Sequence, residues 1–320
     1  MSAPARFRLH GLALGLASLV ACSPPPTPEP PPVTAPPPPP AASGAPSATP
    51  AKTPAKTSAT TAAPDGTPCG PLNCRLFDTP QQAFAAVLAT EPRVLAIGEA
   101  HAQRGAKVPS STSRFTKELL PMLEGEASDL VIELLMADGK CGDAEQKTAE
   151  AQKPVTEQQA GSNQNEFLAL GNASRAQGIR PHVLRPSCED YKAIAAAGPD
   201  GVPRMLAMIA ALTDDLVRRI LERNAKEGVD KVVLAYGGAM HNDLTPREGR
   251  EKWSFGPSLS ERTSGGFVEL DVFVPEYIKD TESWQSFPSY THYDRAALGG
   301  KVALFETGDR AYTMIFAETR

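Results

Sequence analysis

The sequence predicts an α/β fold in which a mainly parallel central sheet is flanked by helices, with antiparallel strands added from the C-terminal region. Two buried apolar segments, residues 93–98 and 231–236, both end next to glycine and are followed by a histidine. Continuous apolar runs of this kind are typical of strands in a parallel sheet that is covered on both faces. Helical patterns alternate with the runs, and a tail with hairpin character follows them, which favours antiparallel strands at one edge.

Residues 1–21 have the pattern of a lipoprotein signal peptide. A basic start is followed by an apolar run from Leu12 to Val20, which is too short to cross a bilayer as a helix. Small residues before Cys22 resemble the lipobox of bacterial lipoproteins, which implies that Cys22 is lipidated. We therefore expect a cell-envelope protein, lipid-anchored to the outer membrane with a periplasmic face or to the cell surface, that meets the membrane through its anchor only. An ordinary signal peptide with an incidental cysteine is the alternative.

The next segment, residues 22–70, is rich in Pro, Ala and Thr and holds 17 of the 32 prolines. It cannot bury enough apolar surface to offset its ordering entropy, so we expect a disordered tether. Residues 71–320 then form a single α/β domain, which is long enough for a well-buried core. This domain carries 28 Lys and Arg against 35 Asp and Glu, without a basic stripe, which argues against nucleic acid as a partner.

Four cysteines lie beyond Cys22, and an even number in an exported chain suggests two disulfides. Three pairings are possible. We favour Cys69–Cys74, which closes the first loop of the domain, and Cys141–Cys188, which ties together the excursions after the second and third strands. A cysteine metal site is the rival interpretation, but the spacings match no zinc pattern.

The domain begins with a predicted helix. Thr79-Pro80 supplies a capping hydroxyl and a proline at the first helical position, and the helix continues to about Thr90. After the first strand we expect an active-site loop at 102–111, a helix at 112–124 and a second strand at 129–134.

The middle of the domain is expected to alternate helices with strands. Residues 138–163 are polar and lack large apolar groups, which predicts an excursion over one face with at most a short helix. A helix at 165–177 and a strand at 180–184 follow. A long helix at 202–227 has apolar residues at helical spacing, and its methionines are expected in the core.

The C-terminal part changes character. Residues 267–274 alternate apolar with acidic residues, as a half-exposed strand does, and 301–306 with 312–317 read as a hairpin. Residues 280–298 form an aromatic, irregular segment that we expect at the surface.

Charged side chains follow the strands where their carboxyl ends meet. The candidates are Glu99, His101, Glu133, Arg185 and His241. In open α/β sheets ligands bind at this edge. Glu99, His101 and His241 could ligate a divalent metal, or a histidine could act as general base with a carboxylate orienting it. Taken singly, a glutamate at a strand end often caps the next helix, and a lone histidine such as His182 more often packs or forms a hydrogen bond.

The same residues resemble a known superfamily. Leu95-Ala96-Ile97-Gly98-Glu99-Ala100-His101 resembles the Gly-Glu-x-His opening of the superfamily that unites ChaN-type haem-uptake lipoproteins, Tiki/TraB-type proteases and erythromycin esterases. Gly238 to His241 resembles its second signature, Gly-x-x-His. Glu133 is similar to the acid that often ends the second strand. The resemblance covers roughly residues 80–245 and implies an α/β fold with its site at the strand ends.

The resemblance leaves the chemistry open, because members bind haem, cut peptides with a metal or hydrolyse esters with an activated water. We expect a hydrolase of ester or peptide bonds, acting on a small-molecule or peptide substrate, in which His101 or a bound metal activates water. His241 completes the site, and Arg185 holds an anionic group or developing oxyanion. The alternative is a non-catalytic haem- or iron-binding module of the ChaN type with His292 and Tyr293 from the aromatic segment. A third possibility is a degenerate member with a purely structural role.

Overall fold

The structure, a computed structural model, describes residues 65–319 with the exception of residue 138. The predicted signal peptide, the lipidation at Cys22 and nearly all of the predicted tether lie outside these residues. Within the described part of the chain, no helix combines the length and apolarity that a membrane span requires.

A nine-stranded sheet runs through the domain in the order β1-β2-β8-β9-β7-β3-β6-β4-β5. In chain order the strands are β1 (Thr67–Gly70), β2 (Cys74–Phe77), β3 (Val94–Glu99), β4 (Ala127–Leu135), β5 (Arg180–Leu184), β6 (Val232–Gly238), β7 (Phe267–Phe273), β8 (Val302–Gly308) and β9 (Ala311–Ile315).

Strands β9, β7, β3, β6, β4 and β5 run parallel to one another, and β8, β2 and β1 extend the sheet from β9 by antiparallel pairs. The predicted α/β class with a mainly parallel sheet is therefore confirmed. The antiparallel edge differs in one respect, because its outer strands β1 and β2 precede α1 rather than coming from the C-terminal region. Strand β1 consists of the last four residues of the predicted tether, so the folded domain begins before residue 71. The Cys69–Cys74 turn connects these two strands, so the predicted first loop is the tip of a hairpin.

Eight α-helices flank the sheet within residues 65–319. They are α1 (Pro80–Leu88), α2 (Ser111–Arg114), α3 (Asp143–Thr156), α4 (Asn163–Ala176), α5 (Cys188–Ala196), α6 (Gly201–Glu227), α7 (Gly256–Arg262) and α8 (Glu282–Gln285). The expectation of at most a short helix in 138–163 is wrong, because α3 has 14 residues. It is mainly exposed, and its Thr148 bonds the carbonyl of Tyr191 in α5. The helix is thus held by a neighbouring helix, which its polar sequence does not reveal.

The half-exposed strand predicted at 267–274 is also wrong, because all of β7 is buried. It lies between β3 and β9 and is parallel to both, so neither of its edges faces solvent. Its acidic residues Glu269 and Asp271 are 8% and 2% exposed. The acidic residues in the alternating pattern of β7 are therefore buried carboxyl groups and do not form a solvent-exposed face.

The two faces of the sheet hold separate apolar cores. Phe84, Phe115 and Phe167 belong to the core on the α1 and α4 face, and Met205 and Ile209 of α6 belong to the other. The methionines predicted for the core are therefore in it. The predicted disulfide pairs lie at bonding distance, with Cα atoms 5.0 Å apart for Cys69–Cys74 and 5.1 Å apart for Cys141–Cys188.

Candidate functional site

The strand ends bring four of the predicted side chains to one edge. Strands β3, β6 and β4 are consecutive in the sheet, and Glu99 of β3 is paired in register with Gly238 of β6. Glu133 lies near the end of β4, at an irregularity of the ladder between Ile132 and Leu135. His241 follows β6 by three residues.

Glu99 is a buried carboxylate that accepts three hydrogen bonds. Its Oε1 lies 2.8 Å from Nδ1 of His101, and its Oε2 accepts from the hydroxyls of Thr112 at 2.8 Å and Tyr236 at 3.3 Å. Thr112 belongs to α2, whose first turn is fixed by the capping hydroxyl of Ser110. A carboxylate held by this many donors is a rigid partner for the imidazole.

His101 presents one ring nitrogen to the site. Because Nδ1 bonds Glu99, Nε2 is turned toward Gly238, and the ring packs edge-on against Phe167 with centroids 5.9 Å apart. Burial alone lowers the pKa of His101, but the hydrogen bond to Glu99 and the charges of Glu99 and Glu133 outweigh it and raise the pKa to about 9. His101 is therefore an imidazolium at neutral pH.

Glu133 connects the end of β6 to the second histidine. Its Oε2 accepts the backbone N–H of Gly238 at 2.6 Å, and its Oε1 lies 3.6 Å from Nε2 of His241. Nδ1 of His241 donates to the carbonyl of Trp253 at 2.7 Å, since a carbonyl can only accept. Both histidines thus have Nδ1 fixed by an oxygen and Nε2 turned toward the site.

The glycines at the end of β6 make room for these groups. A Cβ on Gly237 would lie 2.8 Å from Cβ of Glu133 and would also collide with its carboxylate. A Cβ on Gly238 would lie 3.5 Å from Nε2 of His101 and 3.6 Å from Oε2 of Glu133. An imidazolium and a carboxylate therefore face one small space above Gly238. Beside it, Glu133 and His241 border a small cavity that is also lined by Ile97, Val131 and Ile209.

The predicted metal set does not fit this geometry. In the part of the chain that the structure describes, no group of three or more His, Cys, Asp or Glu side chains is arranged to hold a metal ion. Both oxygens of Glu99 accept hydrogen bonds, and its carboxylate lies behind His101, where it orients the ring. Glu99, His101 and His241 therefore do not form a shared coordination sphere.

The remaining candidates lie elsewhere. Arg185 is exposed just beyond β5, with β4 and β6 between that strand and β3. His292 is exposed, whereas the hydroxyl of Tyr293 is buried beside a cleft lined by Trp284 and Phe287. His182 bonds Asp129 at 2.7 Å, as its structural interpretation predicts.

Three contributors to the site were absent from the sequence prediction: Thr112, Tyr236 and the carbonyl of Trp253. Tyr236 directly precedes Gly237 in a strand already expected at the site, so its position was available as a signal. Thr112 lies one residue beyond the predicted active-site loop. A backbone carbonyl leaves no trace in sequence.

Comparisons with known proteins give little to set beside this geometry. No family model matches the chain, and no curated protein matches it. Among solved structures, the type III effector HopBA1 is similar over 78% of this chain and 98% of its own, with 8% identity and a TM-score of 0.37.

Proposed function

We propose that this chain is a cell-envelope lipoprotein whose domain hydrolyses ester or peptide bonds with an acid–base pair formed by His101 and Glu133. The observation that supports this most is the shared space above Gly238, which Nε2 of His101 and Oε2 of Glu133 both face. The order of the Gly-Glu-x-His and Gly-x-x-His phrases, which resembles the ChaN, Tiki and erythromycin esterase superfamily, agrees with a site at these strand ends.

The protonation state of His101 favours different roles for His101 and Glu133. An imidazolium with a pKa of about 9 is a proton donor at neutral pH, so the general base is Glu133. Glu133 takes a proton from water as the water oxygen bonds the carbonyl carbon of the substrate. His101 then gives its Nε2 proton to the leaving oxygen or nitrogen as the bond to the carbonyl carbon breaks.

The other residues orient this pair. Glu99 fixes the ring of His101 and stabilises its positive charge, and the N–H of Gly238 holds Glu133. His241 lies against the second oxygen of Glu133 at 3.6 Å. The role predicted for Arg185 as an anion-binding group remains a prediction.

Substitution of the pair tests the proposal. We expect Glu133→Gln and His101→Asn to lower kcat/KM on ester or peptide panels by about 100-fold or more, the usual contribution of a positioned acid or base. Glu261→Gln and His292→Asn change the same residue types at exposed positions and are the matched controls. Wild-type protein without activity on either panel, or equal activity in all variants, would contradict the proposed hydrolase activity.

Metal analysis of the same preparations tests the predicted metal site. A stoichiometric ion that is lost in His101→Ala plus His241→Ala would replace the acid–base scheme by metal-assisted hydrolysis. Activity that is unchanged by chelation supports the acid–base pair.

The haem-binding alternative draws on one observation. The hydroxyl of Tyr293 is buried without a hydrogen-bond partner among the described residues, beside an aromatic cleft, and a tyrosine oxygen can ligate haem iron. A haemin titration tests it. A saturable Soret shift that is lost in Tyr293→Phe or His292→Ala supports binding at this segment, and an identical titration in both variants contradicts it.

A further inference from the structure

The buried acids of β7 contact the segment that carries His241. Oε2 of Glu269 accepts the backbone N–H of Leu244 at 2.6 Å, and Oδ1 of Asp271 accepts Nδ2 of Asn242 at 3.1 Å. Alternate residues of a strand point to the same face, so both carboxyls reach the 242–244 segment from one side. On its other side the carbonyl of His241 accepts the N–H of Phe255 at 2.9 Å.

Asp271 and Asn242 also occupy the space behind Gly98, the residue before Glu99. A Cβ on Gly98 would lie 2.6 Å from Oδ1 of Asn242 and would collide with Oδ1 of Asp271. The glycine therefore permits a contact between β7 and the His241 segment across the back of β3.

The two carboxyls have no cationic partner in the described part of the chain. Burial raises the pKa of Glu269 to about 7, and burial together with the charges of Glu269 and Asp243 raises the pKa of Asp271 well above its usual value. The cations near this cluster are Arg247 and Arg250, which face Asp243. Burial therefore favours the neutral form of Asp271, which has an O–H to donate.

One buried atom needs that proton. Oδ1 of Asn242 has no hydrogen-bond partner among the described residues, although Asn242 is only 2% exposed. A buried acceptor left unpaired costs about 1–3 kcal/mol. A neutral carboxylic acid and a primary amide satisfy each other through two hydrogen bonds, because each offers one donor and one acceptor.

We propose that Asp271 and Asn242 form a two-hydrogen-bond acid–amide pair that, with the Glu269–Leu244 bond, positions His241 against Glu133. Asp271, Asn242 and Glu269 are positioning residues, because they act through His241. Only the expected effect of this positioning on catalysis rests on the proposed function. The placement of His241 can be measured without any substrate.

The test follows the side-chain NMR signals of His241 in the whole domain, with His182 and His292 as internal controls. We expect Asp271→Leu to shift the His241 signals and to lower kcat by about 10-fold or more, since small displacements of catalytic groups are costly. Asp271→Asn preserves both hydrogen bonds and leaves the His241 signals near those of the wild type. Asn242→Asp displaces the signals, and adding Asp271→Asn, which exchanges acid and amide, restores them.

Two results would overturn the pair: unchanged His241 signals in Asp271→Leu and Asn242→Asp, or a displacement in Asp271→Asn as large as in Asp271→Leu. If Asp271→Leu does not fold, the exchange variant alone decides. Wild-type protein that shows the expected His241 shifts but no hydrolysis would remove the proposed function and leave the positioning role intact.

Discussion

Each histidine of the site is controlled by the oxygen that its Nδ1 meets. Glu99 and His101 were predicted at the same edge of the sheet, and the structure shows that they also contact each other at 2.8 Å. The pKa of His101 was not predictable, because it depends on the burial of the ring, on its hydrogen bond to Glu99 and on the charge of Glu133 from another strand. In the proposed mechanism His101 is a proton donor at neutral pH, in place of the expected role in activating water.

The first prediction concerns the pH dependence of stability. The folded-state pKa of His101, about 9, lies above its unfolded-state value of 6.5, so its contribution to stability is fully present below about pH 6.5 and is lost as pH rises through 9. The loss is on the order of 3 kcal/mol at most, at 1.36 kcal/mol per unit. Urea unfolding over this range should show a steeper decline for the wild type than for His101→Gln.

Glu269 provides the internal check on this experiment. Its folded-state pKa of about 7 lies above its unfolded-state value of 4.5, so its contribution to stability is lost between about pH 4.5 and 7 in both the wild type and His101→Gln. Equal slopes for both proteins between 6.5 and 9 would contradict the assignment to His101.

The end of β6 shows how an element prepares a site. Its two glycines, Gly237 and Gly238, have different neighbours. Gly237 makes way for the side chain of Glu133, and Gly238 leaves open the space between His101 and Glu133. Strand positions could be predicted from apolar runs. The role of each glycine could not be predicted, because it depends on the neighbouring strand β4. An irregularity in the pairing of β4 places Glu133 beside the end of β6.

The second prediction contrasts these two positions. Gly238→Ala puts a methyl group at ordinary contact distance from both His101 and Glu133, so the protein should fold while hydrolysis falls by about 10-fold or more. Gly237→Ala collides with Glu133 and should destabilise the protein by about 1–3 kcal/mol, the usual range for overpacking. Thermal unfolding and kinetics on the same preparations separate the two effects.

Full hydrolytic activity in Gly238→Ala would contradict the proposal that the substrate reacts in the space between His101 and Glu133. Gly178→Ala offers a comparison away from the site, because Gly178 lies in an open turn with a φ of 76°. Its cost in stability comes from backbone strain alone.

Taken together, the class of the fold and four of its parallel strands were predictable because apolar runs, helical periodicity and glycine stops act locally. The prediction failed where distant partners decide. Helix α3 depends on α5, and β7 is buried by strands that flank it on both sides. Helix α5 begins with a capping box formed by Ser187 and Asp190, which is a local sequence signal for the start of a helix.

The third prediction concerns the disulfides. Cys141 and Cys188 are 47 residues apart in sequence, and Cys69 and Cys74 are 5 apart. Loop-closure entropy predicts that removing the longer crosslink costs about 4 kcal/mol and removing the shorter one about 2 kcal/mol. Denaturant unfolding of the two paired Cys→Ala variants measures the difference, and a larger loss for the hairpin pair would contradict it. Free-thiol titration of the native protein provides the control, with four unreactive cysteines expected in the domain.

The placement of β3 has a consequence for how the protein reaches its folded state. Its partners are β6 and β7, so Val94 pairs with Val233 and Phe267, more than a hundred residues further along the chain. Closing such long loops delays folding, because their entropy is lost before any contact compensates for it. A chain emerging from a ribosome or a translocation channel therefore cannot assemble Glu99 with Gly238 until nearly three quarters of its length is available. Until then β3, which is buried along its whole length in the folded protein, has no partner strand on either side, and we expect that a chaperone protects this segment.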